Sequence, residues 1–287
     1  MDKFEIKDGV AIIPKGTREI PNNAFFGCSS LTTIIIPESV TSIGSGAFEG
    51  CSSLTSVVIP ESIKRIGSFA FSGCSSLTSV VIPKGVKIIG NNAFQYCTSL
   101  TSIVISEGVE SIKGRAFFGC TSLTSVFIPQ SVTSIGEAAF SGCDSLTSIV
   151  VEDGNPIYDS RDNCNAIIET ATNTLIQGCS SPTSFTIPSS VTSIGCGAFS
   201  GCYSLTSIVI PESVTSIEGH AFYGCSSLEI VHLPAGVSNF EIDSFKDCRN
   251  LKAIYAPKNK VDFYKEHFSA DMHWLIVEEG SDLPVKP

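Results

Sequence analysis

Apolar residues recur along most of this chain in a fixed order, and the order repeats every 23 residues. Within residues 116–136, Leu123 begins a run in which apolar and polar residues alternate, which is typical of a strand with one buried face. Pro129 removes a backbone donor and ends that run. Val132 and Ile135 predict a second, shorter strand. A period of this size predicts one supersecondary unit per repeat, stacked so that each buries its apolar face against its neighbours.

Three apolar positions of the repeat recur as ladders. The leucine ladder is Leu31, Leu54, Leu77, Leu100, Leu123, Leu146, Leu205, Leu228 and Leu251. The phenylalanine ladder is Phe25, Phe48, Phe71, Phe94, Phe117, Phe140, Phe199, Phe222 and Phe245. The cysteine ladder is Cys28, Cys51, Cys74, Cys97, Cys120, Cys143, Cys179, Cys202, Cys225 and Cys248. The segment Ala-Phe-x-Gly-Cys predicts a short helical or 3₁₀ piece on the side opposite the strand, so the predicted fold class is a β-dominated α/β solenoid.

The segment Ser204–Cys225, SLTSIVIPESVTSIEGHAFYGC, resembles the BspA-like class of leucine-rich repeat. The resemblance extends from about Val10 to Pro257. It implies a right-handed leucine-rich-repeat superhelix with its short helical pieces on the convex side. It also implies a surface or secreted protein used for adhesion or protein recognition, without a catalytic residue, because the shared positions are structural.

The repeats predict one solenoid domain over residues 1–257, which begins with a partial repeat at residues 1–28. Phe4 and Ile6 are predicted to close its N-terminal end, since a terminal coil otherwise leaves a half-buried core. After Pro257 the period fails, and residues 258–287 are predicted to form a C-terminal cap that ends in a polar tail.

Helical spacing is present within the predicted cap. Val261, Tyr264 and Phe268 follow one another at intervals that place them on one face of a helix. Residues 273–277 are predicted to form a last strand, with Trp274 lying over the end of the core.

One repeat grows from 23 to 36 residues between Cys143 and Cys179. Within residues 152–178, the runs Ala166–Glu169 and Thr174–Gln177 predict a β-hairpin in place of the usual helical piece. Counting back from the next repeat places Leu175 and Ile176 at the ladder Ala and Phe positions, and Pro182 at the ladder Leu.

Two interpretations of this insertion stay open. Insertions in repeat proteins often carry recognition, which makes Tyr158, Arg161 and Asp162 candidate binding residues. The alternative is a local adjustment of curvature. The acidic residues here lack the order of a calcium-binding loop, so no metal site is predicted.

The ladder cysteines are predicted to be buried free thiols, because each lies between an inward Phe and an inward Leu. Parallel inward Cβ vectors do not suit disulfide geometry, and no C-x-x-C pair favours zinc. Cys164 and Cys196 lie off the ladder, and their chemistry stays open.

Strand alternation predicts an outward row beside the buried positions. This row is Ile35, Val58, Val81, Val104, Phe127, Val150, Thr186, Val209, His232 and Tyr255. An exposed apolar stripe commonly marks an interaction site, whereas β-branched residues also suit any sheet. The candidate partner-binding residues are Val81, Val104, Phe127, Val150, Val209, His232 and Tyr255.

Composition narrows the function classes. The net charge of −10, from 18 Lys and Arg against 28 Asp and Glu, leaves no basic stripe for nucleic acid. No apolar run approaches a membrane span, and the N-terminus shows no signal-peptide core. The four histidines belong to no recognisable catalytic or metal pattern.

These observations together predict a non-enzymatic protein-recognition scaffold without cofactor or metal. We expect a cell-surface or secreted adhesin that binds a host or matrix protein through its sheet face. The alternative is a structural surface protein that self-associates through the same stripe. An extracellular or surface location is implied by the resemblance alone.

Overall fold

The structure is a computed structural model that describes residues 4–179, 183–241 and 243–285. It divides into two compact units, residues 1–157 and residues 158–287. Both units are β-solenoid in character, which confirms the predicted leucine-rich-repeat fold class. The division into a solenoid over residues 1–257 and a cap over residues 258–287 stays a prediction. Pro182 lies outside the described residues.

In the first unit, each coil contributes one strand to a long-strand face and one to a short-strand face. The long-strand face consists of β2 (Val10–Ile12), β4 (Thr33–Ile35), β6 (Ser56–Val57), β8 (Ser79–Ile82), β10 (Ser102–Ile105), β12 (Ser125–Ile128) and β14 (Ser148–Val151). The short-strand face consists of β3 (Glu19–Ile20), β5 (Ser42–Ile43), β7 (Arg65–Ile66), β9 (Ile88–Ile89), β11 (Ser111–Ile112) and β13 (Ser134–Ile135). Paired strands on each face are parallel and in register 23 residues apart, as in Val104 with Val81 and Ile112 with Ile89.

The N-terminal end of this unit is closed by β1 (Ile6–Lys7), which pairs with β2 in the antiparallel sense. The ring of Phe4 stacks on Phe25, with 5.4 Å between their centroids. Phe4 and Ile6 therefore close the first coil as the sequence predicts.

The core of the first unit consists of the ladders. Phe117 lies between Phe94 and Phe140 in nearly parallel stacks, with centroids 5.3 Å away on each side. The ladder leucines and phenylalanines described here are buried. Because every rung meets a copy of itself, one side-chain shape fills the core throughout the unit.

The Ala-Phe-x-Gly-Cys segment forms a chain of turns, which we call the turn corner, rather than a continuous helix. Around Phe117, alternate amides bond within the coil and to the next coil. Ala116 N–H donates to Lys113 O at 3.2 Å, whereas Phe117 N–H donates to Ala139 O at 2.8 Å. The bonds within the coil span three residues and are of the 3₁₀ kind, but half of the donors are committed to the neighbouring coil. This sharing prevents the predicted helical piece from continuing.

The second unit begins with an antiparallel sheet of β15 (Tyr158–Asp159), β16 (Ala166–Glu169) and β17 (Thr174–Gly178). The predicted hairpin is therefore confirmed. A 3₁₀ helix, Arg161–Asn163, connects β15 towards β16. Within this unit, parallel pairing runs from β17 through β19 (Ser193–Ile194), β21 (Ser216–Ile217) and β23 (Asn239–Phe240), which form its own short-strand face.

The predicted register of this hairpin is wrong, by four positions at Leu175 and by two at the ladder Phe position. Leu175 pairs with Ile194 and so takes a short-strand position. Gly178 N–H donates to Ala198 O at 2.9 Å, the bond that Phe199 N–H makes to Ala221 O one coil later. Gly178 thus stands at the ladder Phe position, and Phe185 packs edge-on against Phe199 at 5.1 Å. The cause is that the hairpin reverses the chain, so its offset no longer follows the repeat.

The long-strand face of the second unit contains β18 (Ser184–Thr186), β20 (Ser207–Val209), β22 (Ile230–His232), β24 (Ala253–Ala256) and β25 (Ile276–Glu278). Before β25 the chain forms a 3₁₀ helix, Lys258–Lys260, then α1 (Val261–His267) and a 3₁₀ helix, Ala270–Leu275. The predicted terminal helix and strand are therefore present, with the strand starting three residues later than predicted.

Two rings pack at the C-terminal end of the core. Phe268 stacks on Phe245 at 5.9 Å, and the Tyr264 hydroxyl donates to Pro234 O at 2.6 Å. Trp274 is half-buried within the second of these 3₁₀ helices, and its position over the core stays a prediction. Helical spacing brings Tyr264 and Phe268 onto the core as the sequence predicts.

Candidate binding surfaces

The outward row of the first unit lies on its long-strand face as predicted. Val81 is 55% exposed, Val104 53%, Phe127 49% and Val150 44%. Val104 is in register with Val81, and Phe127 with Val150. The row continues towards the N-terminus through Ile12, Ile35 and Val58, all exposed. This unit therefore presents an aliphatic stripe with one aromatic ring in it.

Hydroxyl groups lie beside this stripe, one residue before the strands begin. Thr101 Oγ1 donates to Thr78 O at 3.1 Å, and Thr124 Oγ1 donates to Thr101 O at 3.3 Å. These threonines are exposed, yet their hydroxyl protons are already committed to the preceding coil. The stripe is thus bordered by side chains held in fixed positions, which keeps the face regular.

The outward row of the second unit differs from that of the first. Thr186 and Val209 are exposed, whereas His232 and Tyr255 are half-buried. The rings of His232 and Tyr255 stack at 5.0 Å, and His232 Nδ1 lies 3.0 Å from Glu279 Oε1. β25 pairs with β24, so the C-terminal segment occupies one side of these two rings. The predicted freely exposed anchors are therefore partly covered.

The predicted insertion residues are only partly brought to the surface. Tyr158 is 6% exposed within β15, because its ring packs in the core, and its prediction as a surface contact is wrong. Arg161 is held by two short contacts, to Asp159 Oδ2 at 2.7 Å and to Asn173 Oδ1 at 2.7 Å. Asp162 is exposed with a left-handed φ of 60°. Of the three residues, only Asp162 is presented without a side-chain anchor at this loop.

A cleft of about 560 Å³ lies beside this loop in the second unit. Its walls come from Asp162 to Asn165 on one side and from Ser184 to Ser189 on the other. Cys164 is half-buried there, and burial raises the pKa of its thiol. The thiol is therefore protonated near neutral pH, which weakens it as a nucleophile or metal ligand.

The cysteine ladder is buried as predicted, apart from half-buried Cys28. Cys120 Sγ donates to Phe94 O at 3.2 Å, and Cys97 and Cys143 make the same bond in the coils before and after it. Burial raises the pKa of the Cys51 thiol to about 12. Such thiols stay protonated, and none of the twelve cysteines, all of them within the described residues, forms a disulfide. Off the ladder, Cys196 N–H donates to Glu218 Oε2 at 3.0 Å.

Metal binding and membrane insertion are two further properties on which the described residues bear. No group of three or more His, Cys, Asp and Glu side chains in residues 4–179, 183–241 and 243–285 is placed to hold a metal ion. Among the same residues, no helix is both long and apolar enough to span a bilayer.

Sequence reasoning missed an aromatic cluster at the turn corner of the first unit. Tyr96 and Phe118 meet edge to face at 5.6 Å, and the Arg115 guanidinium lies 5.9 Å from the centre of the Phe118 ring. The available signal was Tyr96 itself, which stands where neighbouring repeats have glycine.

Comparison with known proteins places the chain among repeat proteins of this architecture. The family described as BspA type Leucine rich repeat region matches residues 10–95, 87–164 and 169–273. The chain belongs to this family. No protein of curated function matches it.

Solved structures show the same fold. A leucine rich cell surface protein of Faecalibacterium prausnitzii A2-165 is 32% identical, with a TM-score of 0.62 over 96% of this chain and 83% of that one. A leucine-rich repeat protein of Eubacterium ventriosum is 24% identical, with a TM-score of 0.63 over 87% of this chain and 60% of that one. The pneumococcal vaccine antigen PcpA is 22% identical, with a TM-score of 0.69 over 85% of this chain and 71% of that one.

Proposed function

We propose that this protein is a non-enzymatic scaffold that recognises another protein through the long-strand face of its first unit. The observation that carries the proposal is the stripe of Val81, Val104, Phe127 and Val150, whose side chains stay about half exposed in adjacent, regular coils. Burying apolar surface of this kind against a partner lowers the free energy of the complex, because the surface is removed from water. Phe127 supplies the aromatic anchor that interface centres favour.

We further infer that the partner is a host or matrix protein met at the cell surface or outside the cell. The F. prausnitzii relative is described as a cell surface protein, which supports this location. The chain's net charge of −10 favours solubility and argues against a polyanionic partner. An adhesin would use the face as a broad, shallow contact, since a regular sheet offers area rather than depth.

The proposal extends to the outward residues of the second unit. Val209 is exposed like its counterparts in the first unit. His232 and Tyr255 would contribute the uncovered sides of their stacked rings. Arg161 and Asp162 are candidate contacts at the insertion, with Arg161 already positioned by Asp159.

Self-association is the second candidate, favoured by the regularity of the stripe. Phe127 and Val150 continue the row of Val81 and Val104 with the same orientation and register. A stripe of like side chains is complementary to itself when a second copy approaches in the opposite direction. The same residues would then bury each other in a structural assembly.

One pair of variants tests both candidates. Phe127→Asp places a charge in the stripe, whereas Ser125→Asp places the same charge on an exposed neighbour in the same strand. Sedimentation velocity over a wide concentration range reports self-association, and surface plasmon resonance on immobilised fibronectin, laminin and type IV collagen reports partner binding. We expect a monomer that binds at least one of these proteins, with Phe127→Asp weakening binding at least tenfold.

Ser125→Asp is expected to bind like the wild type, because Ser125 lies beside the stripe rather than in it. Equal melting temperatures for the two variants would show that the effect is on the surface. A wild-type oligomer that Phe127→Asp dissolves would give the role to self-association. Binding that both variants retain in full would contradict the proposed face.

A further inference from the structure

The turn corner of the first unit contains one backbone exception. At the position before the ladder cysteine, five coils of this unit have glycine with φ between 70° and 73°: Gly27, Gly50, Gly73, Gly119 and Gly142. In the remaining coil this position is Tyr96, whose φ is 57°. A side chain other than glycine or asparagine is disfavoured in this left-handed region.

The Tyr96 side chain gains little burial in return for this conformation. It is 51% exposed. Its ring lies across Gly119, where a Cβ would come within 2.6 Å of Tyr96 Cδ1. Gly119 is the glycine that the other coils also have at this position, and it leaves room for the ring. A residue held in a disfavoured conformation at the surface is an observation that points to function.

The groups around Tyr96 form a defined cluster. The Phe118 ring meets Tyr96 edge to face, and the Arg115 guanidinium lies over Phe118. The left-handed φ of Arg115, 56°, is the conformation that this repeat position has in the other coils of the unit. On the Tyr96 coil, Asn92 Nδ2 donates to Gln95 Oε1 at 2.7 Å. Two rings and a guanidinium are thus placed together, and the coil that contains Tyr96 also contributes side-chain amides.

Charge pairing leaves this guanidinium available to a ligand. Among the ion pairs formed by the described residues, none includes Arg115. Its side chain is exposed, and the ring beneath it orients the guanidinium plane. The N–H groups at the edge of that plane are free to donate.

The second unit uses the same two repeat positions in a related way. His220 occupies the position of Arg115, with φ 58°, and Tyr223 occupies the position of Phe118. Their rings meet edge to face at 5.4 Å. A hydrogen bond to the Asp247 carboxylate raises the pKa of Tyr223. A polar or cationic side chain beside an exposed ring therefore recurs at this corner.

We propose that the cluster of Tyr96, Phe118 and Arg115 binds a neutral glycan. A pyranose ring presents C–H groups on its faces, which pack against aromatic rings, and hydroxyls at its rim, which bond to amides and guanidinium groups. Asn92 and Gln95, on the same coil as Tyr96, and Arg115, over the Phe118 ring, supply those donors and acceptors. The net charge of −10 disfavours an acidic sugar. This site is separate from the long-strand face and does not depend on it.

Saturation-transfer difference NMR with irradiation of the aromatic protein signals tests the proposal. The probes are lactose, lacto-N-tetraose, maltotetraose, cellotetraose and mannotetraose at millimolar concentration, with 3′-sialyllactose as the acidic counterpart of lactose. We expect transfer to at least one neutral probe, strongest at the C–H protons of one sugar face. Tyr96→Gly is expected to weaken that binding at least tenfold, because it removes the stacking ring.

The choice of glycine separates loss of the site from loss of the fold. Tyr96→Gly introduces the residue that the other coils have at this position, so its melting temperature should equal or exceed that of the wild type. Ala138→Gly relieves a left-handed φ of 54° at the same corner without removing a ring, and should bind as the wild type does. Phe127→Asp should also leave glycan binding unchanged.

Three outcomes would overturn the glycan site. They are the absence of transfer to every neutral probe, a preference for sialyllactose over lactose, and full retention of binding by Tyr96→Gly.

Discussion

The space at the ladder Phe position is filled in two different ways. One is found in the unbroken phenylalanine ladder of the first unit, and the other at the start of the second unit. From Phe25 to Phe140, successive rings stack at 5.0–5.3 Å, so each rung is filled by the repeat itself. In the second unit, Gly178 stands at the ring position, and Phe185 reaches Phe199 edge-on from a different part of the repeat. A ring from another part of the repeat can thus pack against the neighbouring ladder Phe, provided that the residue at the vacant ladder position is glycine.

Replacing one ring in each region separates the two arrangements most strongly. Phe117→Ala removes a ring that is stacked on both sides, and should lower the free energy of unfolding by about 3–5 kcal/mol. Phe185→Ala removes an edge contact to one ring beside an open cleft, and should cost less, about 2 kcal/mol. Urea unfolding followed by circular dichroism measures both.

Phe26→Ala is the matched control, because Phe26 is 60% exposed at the turn corner of the first coil. Its effect should stay within about 0.5 kcal/mol. Equal losses of unfolding free energy in Phe117→Ala and Phe185→Ala would show that the edge contact is as strong as the stack, and would contradict this prediction.

Adding a methyl group at Gly178 tests whether the second arrangement requires glycine. A Cβ there would lie 2.2 Å from Phe199 Cε1, so the ring or the strand must move. Gly178→Ala is therefore expected to lower the free energy of unfolding by about 1–3 kcal/mol through overpacking.

Gly219→Ala provides the control in the same unit. The nearest atom to its added Cβ would be Glu241 Cβ at 4.0 Å, an ordinary contact. Thermal unfolding of both variants should show a clear loss for Gly178→Ala alone. If both variants lose little stability, the Phe199 ring moves aside for the added Cβ at little cost.

The same contrast explains how far the sequence predicts the structure. In the regular coils, Leu123 has a leucine 23 residues away on either side, and Phe127 pairs in register with Val150, so the repeat period fixes strand, register and facing. In the hairpin, β16 and β17 run antiparallel with a register shift between Ile167 and Ile168. The offset there depends on turn and bulge geometry rather than on the period, so the positions of Leu175 and Tyr158 are not predicted correctly.

The candidate sites follow the same rule. The outward stripe could be predicted because alternation along a strand decides which side chains face out. The turn-corner cluster could not, because it depends on the left-handed conformation of Tyr96 and on its reach across Gly119 to the next coil. The sequence still carries the signal, since Tyr96 interrupts a run of glycines.

Asp144 provides a smaller contrast within the first unit. At the position after the ladder cysteine, Thr98 and Thr121 donate hydroxyl hydrogen bonds to the preceding coil, to Ser75 O and Thr98 O. An ionised carboxylate cannot donate, and Asp144 Oδ1 is buried without a hydrogen-bond partner among the described residues. Burial raises the pKa of Asp144 to about 6, from an ordinary 3.8.

This shift makes the folded state bind the Asp144 proton more tightly than the unfolded state does. The stability that this group contributes is therefore greatest below about pH 4 and is lost as the pH rises towards about 6. Asp144→Asn removes the ionisation and supplies an amide donor. After allowance for solvent screening of a partly buried group, we expect it to raise the free energy of unfolding by about 1 kcal/mol at pH 7.

The difference between variant and wild type should shrink as the pH falls to 4, which urea unfolding across this range measures. Asp153→Asn removes an exposed carboxylate from the same unit and is the control for the loss of one charge. If Asp144→Asn gives a difference that stays constant with pH, Asp144 is ionised in the fold without penalty. A charged side chain could then replace the hydroxyl groups of Thr98 and Thr121 at this position. The regular coils would tolerate a charge beside the ladder cysteine, although they exclude one from their core.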